Sequence, residues 1–194
     1  VMVPTPFEGL NDCLIGGFRP GQFTLLAARP SIGKSALAIE FVRAAAYAGK
    51  RTLFVSLESK HTQVALRALA QDGKHQATLL ATWRIDGSID ATIERVGKMA
   101  IWIQVLPTIP RILAMMDKLG GVDFLVIDYL QLMQAPREVR DRRLQVEWLS
   151  QRIKQIAVER EIPVLCLCSV SRPSADGKEK APTMASLRES GELE

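Results

Sequence analysis

Short apolar runs alternate along this chain with stretches in which apolar residues recur every three or four positions. The runs at residues 23–28, 52–57, 101–105, 124–127 and 164–168 predict strands, and the stretches at 35–48, 62–71, 89–100, 110–119 and 144–160 predict helices. Strand and helix in alternation predict an α/β fold, a mostly parallel central sheet with helices on both faces. Pro20-Gly21 ahead of the first run marks a turn, and Asp86-Gly87-Ser88 before Ile89 marks a helix start with Asp90 favourable in the first turn. The segment 171–182, rich in Ser, Pro, Gly, Asp and Lys, reads as a mobile surface loop. No internal repeat or linker interrupts the pattern, so residues 1–194 read as a single domain.

Composition sets outer bounds on this picture. With 194 residues, 47% of them hydrophobic and 24% charged, the chain can bury one sizeable core. No stretch approaches the roughly 20 apolar residues of a membrane span, and the first residues lack a charged-then-apolar signal pattern, so no membrane partner is expected. The three cysteines are Cys13, Cys166 and Cys168. The last two fall in an apolar run, where they pack as small hydrophobes, and the set fits a reducing cytoplasm. His61 and His75 are not spaced to complete a zinc site with them. A net charge of +4 and a pI near 9.1 lean towards polyanionic partners. Arg137, Arg140, Arg142 and Arg143 form one basic cluster, and Arg172, Lys178, Lys180 and Arg188 another; a solvated face accounts for either equally well.

The chemistry concentrates between the first strand and the first long helix. Ala28-Arg29-Pro30-Ser31-Ile32-Gly33-Lys34-Ser35 reads as a phosphate-cradling loop. Gly33 lets backbone N–H groups approach phosphate oxygens, Lys34 offers an ammonium to the β- and γ-phosphates, and the Ser35 hydroxyl is a hard oxygen ligand for Mg²⁺. A bare Gly-Lys-Ser also occurs in ordinary turns, but here it follows an apolar run and precedes a helical one, the order that the motif requires. The usual first glycine of such loops is Ala28. Two carboxylates stand at the ends of other apolar runs. Asp128, closing Phe124-Leu125-Val126-Ile127, is placed to hold Mg²⁺ through water or to cap the following turn. Glu58, closing Leu53-Phe54-Val55-Ser56-Leu57, is placed to orient or deprotonate an attacking water, or is simply solvated.

These stretches resemble a family. Residues 28–35 (ARPSIGKS), 54–58 (FVSLE), 127–133 (IDYLQLM) and 187–191 (LRESG) stand in the order found in the RecA-like motor domain of DnaB-type replicative helicases. The resemblance also covers the opening segment from Pro4 to Gly21, and hence nearly the whole chain. It accounts for Ala28, since the family commonly carries alanine there. It implies a RecA-like P-loop NTPase that binds ATP and Mg²⁺ and moves as a homo-hexameric ring along single-stranded DNA, with a helicase loader or primase as possible partners. It also implies a catalytic set of Lys34, Glu58 and Arg67, metal positions at Ser35 and Asp128, and DNA positions at Arg188, Glu189, Gly191 and Arg172.

The chain departs from the family pattern at several places. Ser169 stands where the family has a γ-phosphate-sensing glutamine, and Ser171-Arg172 keeps only the arginine of an asparagine–arginine pair. The acidic residues common before the Thr-Pro of the family are missing near 103–108. The sequence ends at Glu194, before the family's final strands and arginine-finger hairpin, so slow hydrolysis by the isolated chain is expected. A nucleotide-binding assembly module with little turnover is the competing reading. A small-molecule phosphotransferase is a third, disfavoured because Arg172 is the only arginine in the segment that would form its lid.

Overall fold

The computed structural model describes residues 2–73 and 89–169. Within them the chain runs α1 (Glu8–Cys13), β1 (Phe23–Ala28), α2 (Lys34–Tyr47), β2 (Thr52–Ser56), α3 (His61–Gly73), α4 (Asp90–Gly97), β3 (Ile101–Gln104), α5 (Ile109–Lys118), β4 (Phe124–Asp128), a 3₁₀ turn (Leu130–Leu132), α6 (Arg142–Glu159) and β5 (Val164–Ser169). All five strands are parallel, in the order β1-β5-β4-β2-β3. The register brings Ala28 opposite Ser169 and Ser56 opposite Asp128, so the carboxyl ends of four strands meet along one edge.

Period-two alternation within the strands divides the core between the two faces of the sheet. Leu53, Val55, Leu125, Ile127, Val164 and Cys166 pack on one face against Ile112 and Met116 of α5 and Leu149, Ile153 and Ile156 of α6. Phe54, Phe124, Val126, Leu165 and Leu167 pack on the other against Ile39, Phe41 and Val42 of α2 and Val64 and Ala68 of α3. Strands β2 and β4 are buried throughout, which explains their unbroken apolar sequences. Cys166 and Cys168 are buried in β5, as small apolar residues in a strand should be, whereas Cys13 is exposed.

The opening segment folds over the α2 face. Val3 and Phe18 form an isolated antiparallel bridge, and the Phe18 ring stacks on Phe124 with centroids 5.3 Å apart while meeting Phe41 edge-on. Asn11 ties this segment together, its side chain bonding the N–H and the carbonyl of Thr5.

Several bounds differ from the pattern, each for a local reason. Helix α6 begins at Arg142, not Leu144, because the Asp141 side chain caps it by accepting from the N–H groups of Arg143 and Leu144. Helix α4 ends at Gly97 instead of continuing to residue 100, since glycine favours the exit and the chain must turn into β3. Helix α1 and the 3₁₀ turn leave no periodic mark in the sequence: the first is six residues long with none buried, and the second is three. The helix start at 86–88 and the loop at 171–182 lie outside the described residues. Among the described residues no helix is long and apolar enough to cross a membrane.

Candidate nucleotide site

The phosphate loop lies at the carboxyl end of β1, as its sequence context requires. Ser31 and Gly33 both adopt left-handed backbone, at φ +64° and +103°. A Cβ built on Gly33 would meet nothing within 4 Å, so the demand for glycine is conformational rather than steric. These reversals turn successive amides inward, the geometry of an anion-binding concavity. Helix α2 starts at Lys34 directly after Gly33, and no side chain caps it. Its first intrahelical bond runs from the Leu37 N–H to the Gly33 carbonyl, so the amides before Leu37 face out of the positive end of the helix.

Lys34 folds back over the loop and donates through Nζ to the carbonyls of Ala28 (2.9 Å) and Arg29 (3.0 Å). Both lysine partners are main-chain oxygens, so Ala28 serves this contact as well as glycine would. Pro30, Ser31, Ile32 and Gly33 are exposed, while Ser35 is half-buried in the first turn of α2.

Asp128 ends β4 with 1% of its surface exposed. Burial raises its pKa above the usual carboxylate value; the Ser35 hydroxyl beside it pulls the other way, the Glu58 charge adds to the rise, and Lys34 and Arg67 oppose it. Ser35 stands close enough to influence the carboxylate without completing a hydrogen bond of ordinary geometry. Among the described residues neither carboxylate oxygen has a hydrogen-bond partner. Asp128 therefore does not cap the following 3₁₀ turn, which has no side-chain cap. A buried carboxylate without a partner is costly, and two hard oxygen donors side by side suit a small divalent cation such as Mg²⁺.

Glu58 and Arg67 are both exposed, at the start and on the helix of the segment that follows β2. Their charges are felt at Asp128, so Lys34, Ser35, Glu58, Arg67 and Asp128 share one locality at the sheet edge. Two bonds hold the turn that carries Glu58: Leu57 N–H donates to the Asp128 carbonyl at 2.7 Å, and Ser56 Oγ donates to the Ser59 carbonyl at 2.6 Å.

Gln131 adds a site residue beyond those the sequence motifs mark, signalled there only as an amide between Leu130 and Leu132 in an apolar run. It is buried in the 3₁₀ turn and donates from Nε2 to the Ser169 carbonyl and the Cys168 sulfur, each at 3.1 Å. Arg142 donates to its main-chain carbonyl. Ser169 itself ends β5, half-buried and paired with Ala28. Arg172, Arg188, Glu189 and Gly191 lie outside the described residues.

A left-handed loop between a parallel strand and a helix N-terminus, with lysine and serine opening that helix and a buried aspartate on a neighbouring strand, defines a P-loop NTPase of RecA-like fold. The sheet order and the flanking helices agree, and the RadB recombinase has the same fold at a TM-score of 0.55 and 17% identity, covering 91% of this chain and 74% of its own. More specifically, the chain belongs to the DnaB-like helicase C-terminal domain family, whose sequence profile matches residues 2–194. It is 35% identical over 202 residues to the replicative DNA helicase DnaB of Leifsonia xyli subsp. xyli, covering 99% of this chain and 44% of that protein. A solved DnaB-like replicative helicase, described with its interactions with primase, superposes at a TM-score of 0.90 with 26% identity, over all of this chain and 50% of its own. The chain thus spans about half the length of the relatives that it matches.

Proposed function

We propose that this domain is the ATP-hydrolysing motor of a replicative DNA helicase. The observation that carries the reading is Asp128: a buried carboxylate without a hydrogen-bond partner, next to the Ser35 hydroxyl and the phosphate loop. The loop amides and residues Ala28 to Ser35 cradle the phosphates of ATP, and Lys34 exchanges its carbonyl partners for phosphate oxygens. Ser35 and Asp128 hold Mg²⁺, which when bound neutralises charge on the β- and γ-phosphates. Glu58 orients a water for in-line attack and accepts its proton, and Arg67 offset charge on the γ-phosphate in the transition state.

Turnover is coupled to single-stranded DNA held by Arg172, Arg188, Glu189 and Gly191, an arginine pairing with phosphate and a glycine admitting the backbone closely. The working assembly is a homo-hexameric ring in the cytoplasm, with primase or a loader as partner. Family membership supports each of these assignments. Ser169 favours a second reading, a nucleotide-binding assembly module with little turnover, because its side chain is too short to reach where the family's glutamine reaches. ATP hydrolysis by the full-length protein, with and without single-stranded DNA, separates the two. The motor reading expects DNA-stimulated hydrolysis that is lost in Lys34→Ala and loses its stimulation in Arg188→Ala. ATP binding with negligible hydrolysis, with or without DNA, would support the module instead.

A further inference from the structure

The seam between α2 and α3 carries a contact for which the chemistry above has no use. Gln71 extends its side chain from α3 and donates through Nε2 to the main-chain carbonyl of Ala36 at 3.0 Å. Ala36 directly follows Ser35 in the first turn of α2, and Gln71 lies one turn beyond Arg67 on the same face of α3. A carbonyl only accepts, so the nitrogen must be the end that meets it. The other end, Oε1, is buried and has no hydrogen-bond partner among the described residues, so the tie depends on Nε2 alone.

Farther along α2, the contact made by the next residue of α3 is built differently. Asp72, whose side chain is fully covered, accepts from Arg43 at 2.8 Å and from the Tyr47 hydroxyl of α2, and Arg95 of α4 donates to it at 2.7 Å. Arg43 also holds Glu40 with bonds of 2.8 and 2.9 Å. Two consecutive residues in the last turn of α3 thus reach opposite ends of α2: Asp72 is held by charge to Arg43 and by a hydrogen bond to Tyr47, and Gln71 by one neutral bond to the first turn beside the phosphate loop. With the Asp72 contacts alone α3 can rotate about that anchor; the Gln71 bond is the second point that fixes its orientation, and with it the direction of Arg67 one turn earlier.

We infer that Gln71 is a positioning residue for ATP hydrolysis: by bonding the carbonyl of Ala36, it sets where Arg67 stands relative to the phosphate loop. The inference rests on the role proposed above for Arg67. Asp72 ties α3 to the later turns of α2 and Gln71 ties it to the first, and this second tie aims the helix.

The test uses the full-length protein and measures steady-state ATP hydrolysis, affinity for a non-hydrolysable ATP analogue, and thermal midpoint. Gln71→Met keeps the length and removes the donor, and Gln71→Lys restores a donor of similar reach. Misplacement of Arg67 on loss of the tie lowers kcat about 3- to 10-fold in Gln71→Met. Analogue affinity stays within about twofold because ground-state binding does not use the tie. Gln71→Lys recovers most of the rate. In an Arg67→Ala background Gln71→Met produces no further loss, because it acts through that arginine. Wild-type kcat in Gln71→Met, or a full additional loss in the double variant, overturns the inference while leaving the Arg67 assignment standing. Wild-type turnover in Arg67→Ala alone overturns the Arg67 assignment and the inference with it.

Discussion

The carboxylate of Asp128 at the end of β4 lies beside the hydroxyl of Ser35 in the first turn of α2, buried and without a hydrogen-bond partner among the described residues. Two oxygen donors from distant parts of the chain are thus brought together at an energetic cost that bound cation would relieve. With burial as the main cause, the Asp128 pKa is raised, so its ionised form destabilises the fold. The group's favourable contribution is complete below the unfolded carboxylate value of about 4 and is lost as pH rises through the higher folded value. Asp128→Asn should therefore raise stability at neutral pH in the absence of Mg²⁺ by about 1–3 kcal/mol. Denaturant titrations of both proteins check this: the gap should close as pH falls towards 4. The same variant should lose most Mg²⁺-dependent ATP turnover.

Asp72 should behave in the opposite sense. Burial pushes its pKa up, but hydrogen bonds from Tyr47, Arg43 and Arg95 outweigh that and hold it below the usual carboxylate value. Its stabilisation is present above the unfolded value of about 4 and disappears as pH falls through the depressed folded value. Asp72→Asn should cost about 1–2 kcal/mol at pH 7, with the deficit vanishing in strong acid. Equilibrium unfolding across pH measures it.

Gly33 needs its left-handed backbone at φ +103° even though a Cβ there has open space. Gly33→Ala should lower stability by about 1–2 kcal/mol and weaken ATP binding at least tenfold, as read by calorimetry. Ser31→Gly occupies its φ of +64° without strain and should keep ATP affinity within about threefold.

Thiol chemistry checks the placement of β5. Cys13 is exposed, while Cys166 and Cys168 are buried and desolvation pushes the Cys166 thiol well above its ordinary value. An aromatic disulfide reagent should react rapidly with one thiol per native chain and with three after denaturation.

Much of this arrangement is legible in the sequence, and the remainder is hidden for identifiable reasons. The five strands stand out because β2 and β4 are buried on both faces and admit almost nothing polar. The phosphate loop is visible because left-handed backbone, an ammonium and a hydroxyl impose residue types at fixed spacing. Asp128 is visible because it breaks an apolar run at the sheet edge. Gln71 and Gln131 are not, since each works by reaching a main-chain carbonyl on another element, and a carbonyl leaves no mark on the sequence. The start of α6 is obscured for a related reason: its Asp141 cap precedes the apolar residues by which a helix is recognised.

The central claim is that ATP bound at the Lys34 loop drives movement along single-stranded DNA. Unwinding of a forked duplex by the full-length protein tests it most directly. The account predicts strand separation that requires both ATP and Mg²⁺ and falls at least about 100-fold in Lys34→Ala, as loss of a phosphate-binding cation should cause. Wild-type protein that leaves the fork intact in the presence of ATP and Mg²⁺, or unwinding that survives Lys34→Ala unchanged, would contradict it.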